Sequence, residues 1–318
     1  MSLPAQSDPP QKGVSSQIDK RATPFRPRGI RPLTWILLLA IIGPCAVQFV
    51  PHEIGRWHLA HAIRLRENGQ KEAAYQELAA ALQRFPDNPT LLLRRAEWRL
   101  ADGKQEEALA DGEQAQALAK DEPGILMKHA ELLQKAGKFD QAVENWKLVE
   151  DFSRRSGDPP REDALNGLAY AQSLAKVELD DALRNVTAAI DLLPSEEPKD
   201  PVKQALHVLN RAQFLDTRGY ILHLLGRNEQ AITDMDNAVN ALSQAHRALG
   251  ELIKSTADKS ASPSSKEAQL SFNDARSSAV IHYHRSLVLN ALDRKEDAEK
   301  DVETVRKLIG REPDETLF

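Results

Sequence analysis

From residue 53 onward, apolar side chains recur three and four positions apart in stretches separated by short polar turns. That spacing places them on one stripe of an α-helix. Trp57, Leu59, Ala62 and Leu65 form one stripe, and Ala74, Leu78 and Ala81 form the next. Asn68-Gly69 supplies the turn between them, and Pro86 ends the second helix. The same arrangement returns after 34 residues. Gly69, Gly103 and Gly137 keep that step, as do Ala62, Ala96 and Ala130, and Ala74, Ala108 and Ala142. A constant period of this length predicts stacked helical hairpins, each unable to bury its apolar face without a neighbour.

Later units keep the pattern with interruptions. Gly157, Pro159 and Pro160 mark a linker over 153–162. A fourth unit carries Asn166, Leu168, Ala169, Tyr170, Ala182 and Ala189, with one extra residue in its turn. The fifth carries Asp216, Gly219, Tyr220, Gly226, Ala231, Met235 and Ala238. Its second helix continues past the usual stop through Leu242, Ala245 and Leu249, and Ser260 to Ser265 reads as a polar loop. In the last unit Asp293 stands where glycine is expected, and the outer face from Glu296 to Lys307 is charged, as the end of an open stack requires.

These residues resemble the tetratricopeptide repeat (TPR) family, a 34-residue helix-turn-helix unit, although that family's helix-A tryptophan has no counterpart here. The resemblance implies an all-α, superhelical solenoid of about six hairpins. Units one to three fall in 53–152 and units four and five in 163–238. An extended helix and polar loop cover 239–278, and a terminal repeat covers 279–309. It also implies that the first helix of each unit lines a concave groove that binds a protein or peptide. The groove positions fall on Leu59 and Ile63, Leu93 and Glu97, Met127 and Glu131, Asn166 and Tyr170, Asp216 and Tyr220, and Tyr283 and Leu287. Asn and Asp can bond a peptide backbone, and Tyr adds apolar area with a polar tip. The alternative for Tyr170 and Tyr220 is packing between repeats. The family's mode of clamping a terminal carboxylate needs cations, whereas these positions are acidic or apolar, so a basic or neutral segment is the expected ligand.

Ahead of the repeats, 33–50 holds 18 residues without a charge. As a helix that run is about 27 Å long, enough to cross the hydrocarbon layer, so one transmembrane helix is expected there, with Trp35 and Arg31 at its edge. Before position 33 there are six basic and two acidic residues, whereas the fifteen positions after Val50 offer only Arg56 and Arg64. Positive charge favours the cytoplasmic side. The expectation is a single-pass anchor with a disordered basic tail over 1–32 in the cytoplasm and the repeats on the exported, periplasmic side. Cys45 is the only cysteine and falls within the run, so no disulfide framework is expected.

Charge narrows the function. The total is −5, and the tail's surplus of four positive charges leaves −9 on the rest. An acidic body without a basic stripe is a poor ligand for nucleic acid. No phosphate-binding glycine loop or nucleophile elbow occurs. His58 and His61 fall in a packing stripe, and His282 and His284, two apart, point in different directions on a helix. Paired acids such as Glu106-Glu107 read as solvated or as helix-dipole partners, and Trp98 and Trp146 as packing residues. The reading is a non-enzymatic, membrane-anchored scaffold without metal or cofactor. The alternative is a cytoplasm-facing adaptor or regulatory subunit of a membrane enzyme complex.

Overall fold

A computed structural model describes residues 54–194, 198–257 and 265–313. The basic tail and the uncharged run 33–50 lie outside the described residues, as does most of the expected loop at Ser260 to Ser265. Among the described residues no helix is long and apolar enough to cross a membrane.

Within the unit Pro51–Phe318, the described residues form twelve helices and no strand. They pair as α1 (54–67) with α2 (Lys71–Arg84), α3 (Pro89–Ala101) with α4 (Gln105–Leu118), and α5 (Pro123–Lys135) with α6 (Phe139–Ser156). Next come α7 (Glu162–Ala175) with α8 (Leu179–Leu192), α9 (Pro201–Leu224) with α10 (Asn228–Ala257), and α11 (Ser265–Ala291) with α12 (Lys295–Ile309). From α3 onward each odd-numbered helix packs beside the next odd-numbered one, so α3, α5, α7, α9 and α11 form one layer.

The repeated small residues explain this packing. Ala62, Ala74, Ala96, Ala108, Ala130 and Ala142 are all fully buried, because only a methyl group fits where two helix backbones approach closely. Helix starts follow local chemistry. Asn88 and Asp200 accept hydrogen bonds from the Leu91 and Lys203 amides, and Pro89 and Pro201 occupy the first turn, where no N–H is needed. The hairpin turns pass through left-handed backbone, with φ of 76° at Gly69 and 70° at Gly137. Asp293 adopts the same conformation at φ 58°. The turn therefore survives loss of its glycine, since Asp tolerates this region better than most residues.

Two segments differ from the periodic expectation. Helix α6 runs through Ser156, which reduces the linker to Gly157 and the four residues after it. Helices α9, α10 and α11 have 24, 30 and 27 residues, against 13 to 18 in α2 to α8. The added turns of α10 place Ala241 and Leu242 in one core with Ala212, Leu215, Ala238 and Ile281 of the regular repeats. They thus belong to the fold rather than to a loop.

Candidate binding cleft

A polar clasp recurs inside the hairpins. Arg95 grips Asp111, Arg218 grips Asp234 and Arg285 grips Asp301, each through two nitrogens at 2.7 to 2.8 Å. His61 meets Glu77 at 3.2 Å in the same register. Every pair is 16 residues apart, joining the seventh position of one helix to the partner helix. His129 and Asn145 hold these positions in the third hairpin without a charge pair, and Leu168 replaces the base in the fourth. The acids are buried (Asp111 4%, Asp234 6%, Asp301 2% exposed), so their charge needs the partner. At Asp301 burial pushes the carboxyl upward, but His282 and then Arg285 outweigh it and hold it below its ordinary value. Such a clasp fixes how each hairpin presents its inner helix.

Joints between hairpins use similar chemistry. Asp102 accepts from Arg66, Lys71 and Tyr75, tying the first hairpin to the second. The Arg66 hydrogen bond is the main reason its carboxyl lies far below the usual range, with burial opposing and Lys71 and Tyr75 assisting. Between the fifth and sixth hairpins, His284 Nδ1 lies 3.0 Å from both Asp216 carboxylate oxygens. Its ring stacks on Tyr220 with centroids 4.0 Å apart. His282 turns instead to Asp301 at 2.6 Å, so the two histidines do face different partners.

Four inner helices, α5, α7, α9 and α11, enclose a cleft of about 540 Å³. Gln134, Asn166, Asn210, Gln213, Thr217 and Ser277 give it amides and hydroxyls, while Phe214, Trp146, Val280 and Ile281 give it apolar surface. Trp146 donates its Nε1–H to Gln134 Oε1 at 3.0 Å, orienting that amide. Asn166 Oδ1 has no hydrogen-bond partner among the described residues, which leaves a carbonyl acceptor at the cleft wall. Tyr170 also lines the cleft; burial first, then Asp216 and Tyr220, push its phenol far above its usual value, so it stays a donor. No histidine or cysteine is among the lining residues.

The structure gathers Glu131, Asn166, Tyr170 and Asp216 in this cleft. It encloses Leu93 (2% exposed), Met127 (8%) and Tyr220 (6%) among packed side chains, because the neighbouring repeat covers their faces. Glu97 is half-buried and pairs with Arg94 on its own helix at 2.8 Å. Tyr283 packs near Val305 in the last hairpin, and Leu287 joins the cluster around Tyr220. Leu59 and Ile63 pack on the first core cluster. The expectation of an acidic groove is also corrected, because Lys135 and Arg276 line the cleft with Glu131, Asp163 and Asp216. Asp163 already bonds Arg161 at 2.6 Å, and Asp216 bonds His284.

Asn210, Arg276 and Ser277 escaped the sequence reading because they sit on added turns outside the 34-residue period, and Gln213 because it is not one of the two groove positions expected on its helix. One signal was present: Asp200-Pro201 is a helix-start pair ten residues before Asn210.

No protein-family model and no curated protein matches the chain. Solved structures do. PilF of Pseudomonas aeruginosa is 12% identical with a TM-score of 0.48, over 82% of this chain and 94% of that one. A tetratricopeptide repeat protein from Parabacteroides merdae is 15% identical with a TM-score of 0.42, over 81% and 94%. YrrB, a TPR protein with an unusual peptide-binding site, is 11% identical with a TM-score of 0.37, over 73% and 92%. The fold assignment stands on this chain's own geometry: paired helices, buried alanines in 34-residue register and left-handed turns at the same step. By that geometry, the described chain has the tetratricopeptide-repeat fold.

Proposed function

We propose that this protein is a membrane-anchored scaffold whose cleft between α5, α7, α9 and α11 holds an extended segment of a partner protein. The observation that carries the reading is the lining itself. Amide side chains from successive inner helices can pair with the N–H and C=O groups of an extended backbone, and Phe214 and Val280 offer apolar contact between them. Lys135 and Arg276 together with Glu131 suit a segment of mixed charge. Binding rather than catalysis fits a cleft without a nucleophile–base pair. The uncharged run 33–50 would be the single-pass anchor, with the basic tail in the cytoplasm and the stack on the exported side.

The test uses the full chain in its own cells, with a photoreactive residue in place of Gln213. One reproducible protein adduct, lost when Tyr170→Ala and Asn166→Ala are added, is the expected result. Adducts that ignore those changes would refute the cleft as the site. Export-dependent reporters fused to the C-terminus check the topology, and silence there would reverse it.

A further inference from the structure

Among the described residues no helix precedes the first hairpin, and α1 presents a stripe there that the other described helices leave exposed. Arg56, Trp57, Ala60, Arg64 and Glu67 are exposed. Trp57, expected on the packing stripe with Leu59, Ala62 and Leu65, is instead 53% exposed, more than any other large apolar side chain described. At 3.6 residues per turn these five positions fall within one arc of about 100°.

The opposite side of α1 is fixed. A Cβ on Gly55 would stand 2.1 Å from Phe85 Cε2, so the first turn of α1 is pressed against the end of α2. His58 and His61 both meet Glu77, at 2.5 and 3.2 Å. The Trp57 ring rests on both imidazoles, with centroids at 5.0 and 5.1 Å. The indole is therefore held outward by a built support.

Charge and chain length say what covers it. Between Arg56 and Arg64 the stripe has no acid, and Arg64 makes no ion pair among the described residues. Along the helix the next acid, Glu67, lies about 15 Å from Trp57, and Glu53 precedes the described residues. Val50, the last residue of the uncharged run, is seven residues before Trp57, a distance the chain cannot stretch beyond about 25 Å. Tryptophan favours the boundary between hydrocarbon and headgroups, and arginine favours lipid phosphate.

We infer that the outer face of α1 lies in the headgroup layer of a bilayer containing anionic phospholipid, with Trp57 at the hydrocarbon boundary and Arg64 on lipid phosphate. The outer face of α1 is then held at the lipid surface. This rests on the reading of 33–50 as a span.

The full chain reconstituted in vesicles of phosphatidylcholine and phosphatidylglycerol tests both readings separately. Flotation with the vesicles in alkaline carbonate reports the anchor. On a Cys45→Ser background, Ala60→Cys carries an environment-sensitive dye, and Gln141→Cys, exposed on α6, carries the same dye as a control. Lipid-borne bromine should quench the dye at 60 at least about twofold more than at 141, and aqueous iodide should quench it less. Trp57→Ala with Arg64→Glu should erase both differences while flotation persists. Equal behaviour of the two dyes on floating protein overturns the inference and leaves the anchor standing. Shielding from iodide without lipid quenching assigns the face to a second copy and also overturns it. Loss of flotation overturns both.

Discussion

Asp111 shows how one side chain governs its hairpin. It is 4% exposed and receives both Arg95 and Arg99, the latter at 2.6 Å. Asp111→Ala leaves Arg95 without its acceptor and Arg99 with Glu107 alone, and because both arginines reach solvent in part, the expected loss is about 2 kcal/mol in urea unfolding. Asp102 makes a pH-dependent contribution. Its folded-state pKa is depressed below the ordinary 3.8, so its stabilisation is present above that value and fades as pH falls through the folded value. Asp102→Asn should therefore lower the urea midpoint at neutral pH, with the gap to wild type closing in acid. A constant gap would show that the joint does not depend on the charge. Asp111, Asp234 and Asp301 were visible in the sequence at a constant 16-residue offset from an arginine. On a single sequence, however, a charged pair looks the same whether solvated or buried, and only the helix facing it decides which.

At the scale of elements, the turns and the long fifth hairpin carry the main consequences. Gly137→Val forces a branched side chain into φ 70° and should cost about 1–2 kcal/mol by thermal melting. Leu242→Ala removes a side chain that is 2% exposed in the core of the added turns. A loss of about 2–4 kcal/mol is expected. It should also weaken partner capture, because those turns hold Asn210 and Arg276 at the cleft. Lost stability with unchanged capture would separate the extension from the site. Periodicity reached Asn166, Tyr170, Glu131 and Asp216 because they occupy repeat positions. It could not reach side chains on helices that outgrow the repeat.

Across the whole molecule, each hairpin depends on its neighbours, so stability is a chain of local joints rather than one core. Asp216, His284 and Tyr220 form the joint to the last hairpin. His284→Ala should speed hydrogen exchange in α11 and α12 while α3 to α6 keep their protection. Uniform acceleration along the stack would mean one cooperative unit instead. The same joint borders the cleft through Asp216, so loosening it should also reduce capture of the partner.

The period of small residues by itself determined the helices, their pairing and their order, because a helix-to-helix contact that admits only alanine or glycine leaves its mark at every repeat. Which face of each inner helix meets a ligand was decided only in the assembled stack. Leu93, Met127 and Tyr220 share repeat positions with cleft residues but are closed over by the adjoining hairpin. The reason is geometric: exposure at a helix face depends on the rotation and reach of its neighbours, and those are set by how the lengthened helices pack together, which the 34-residue period does not encode.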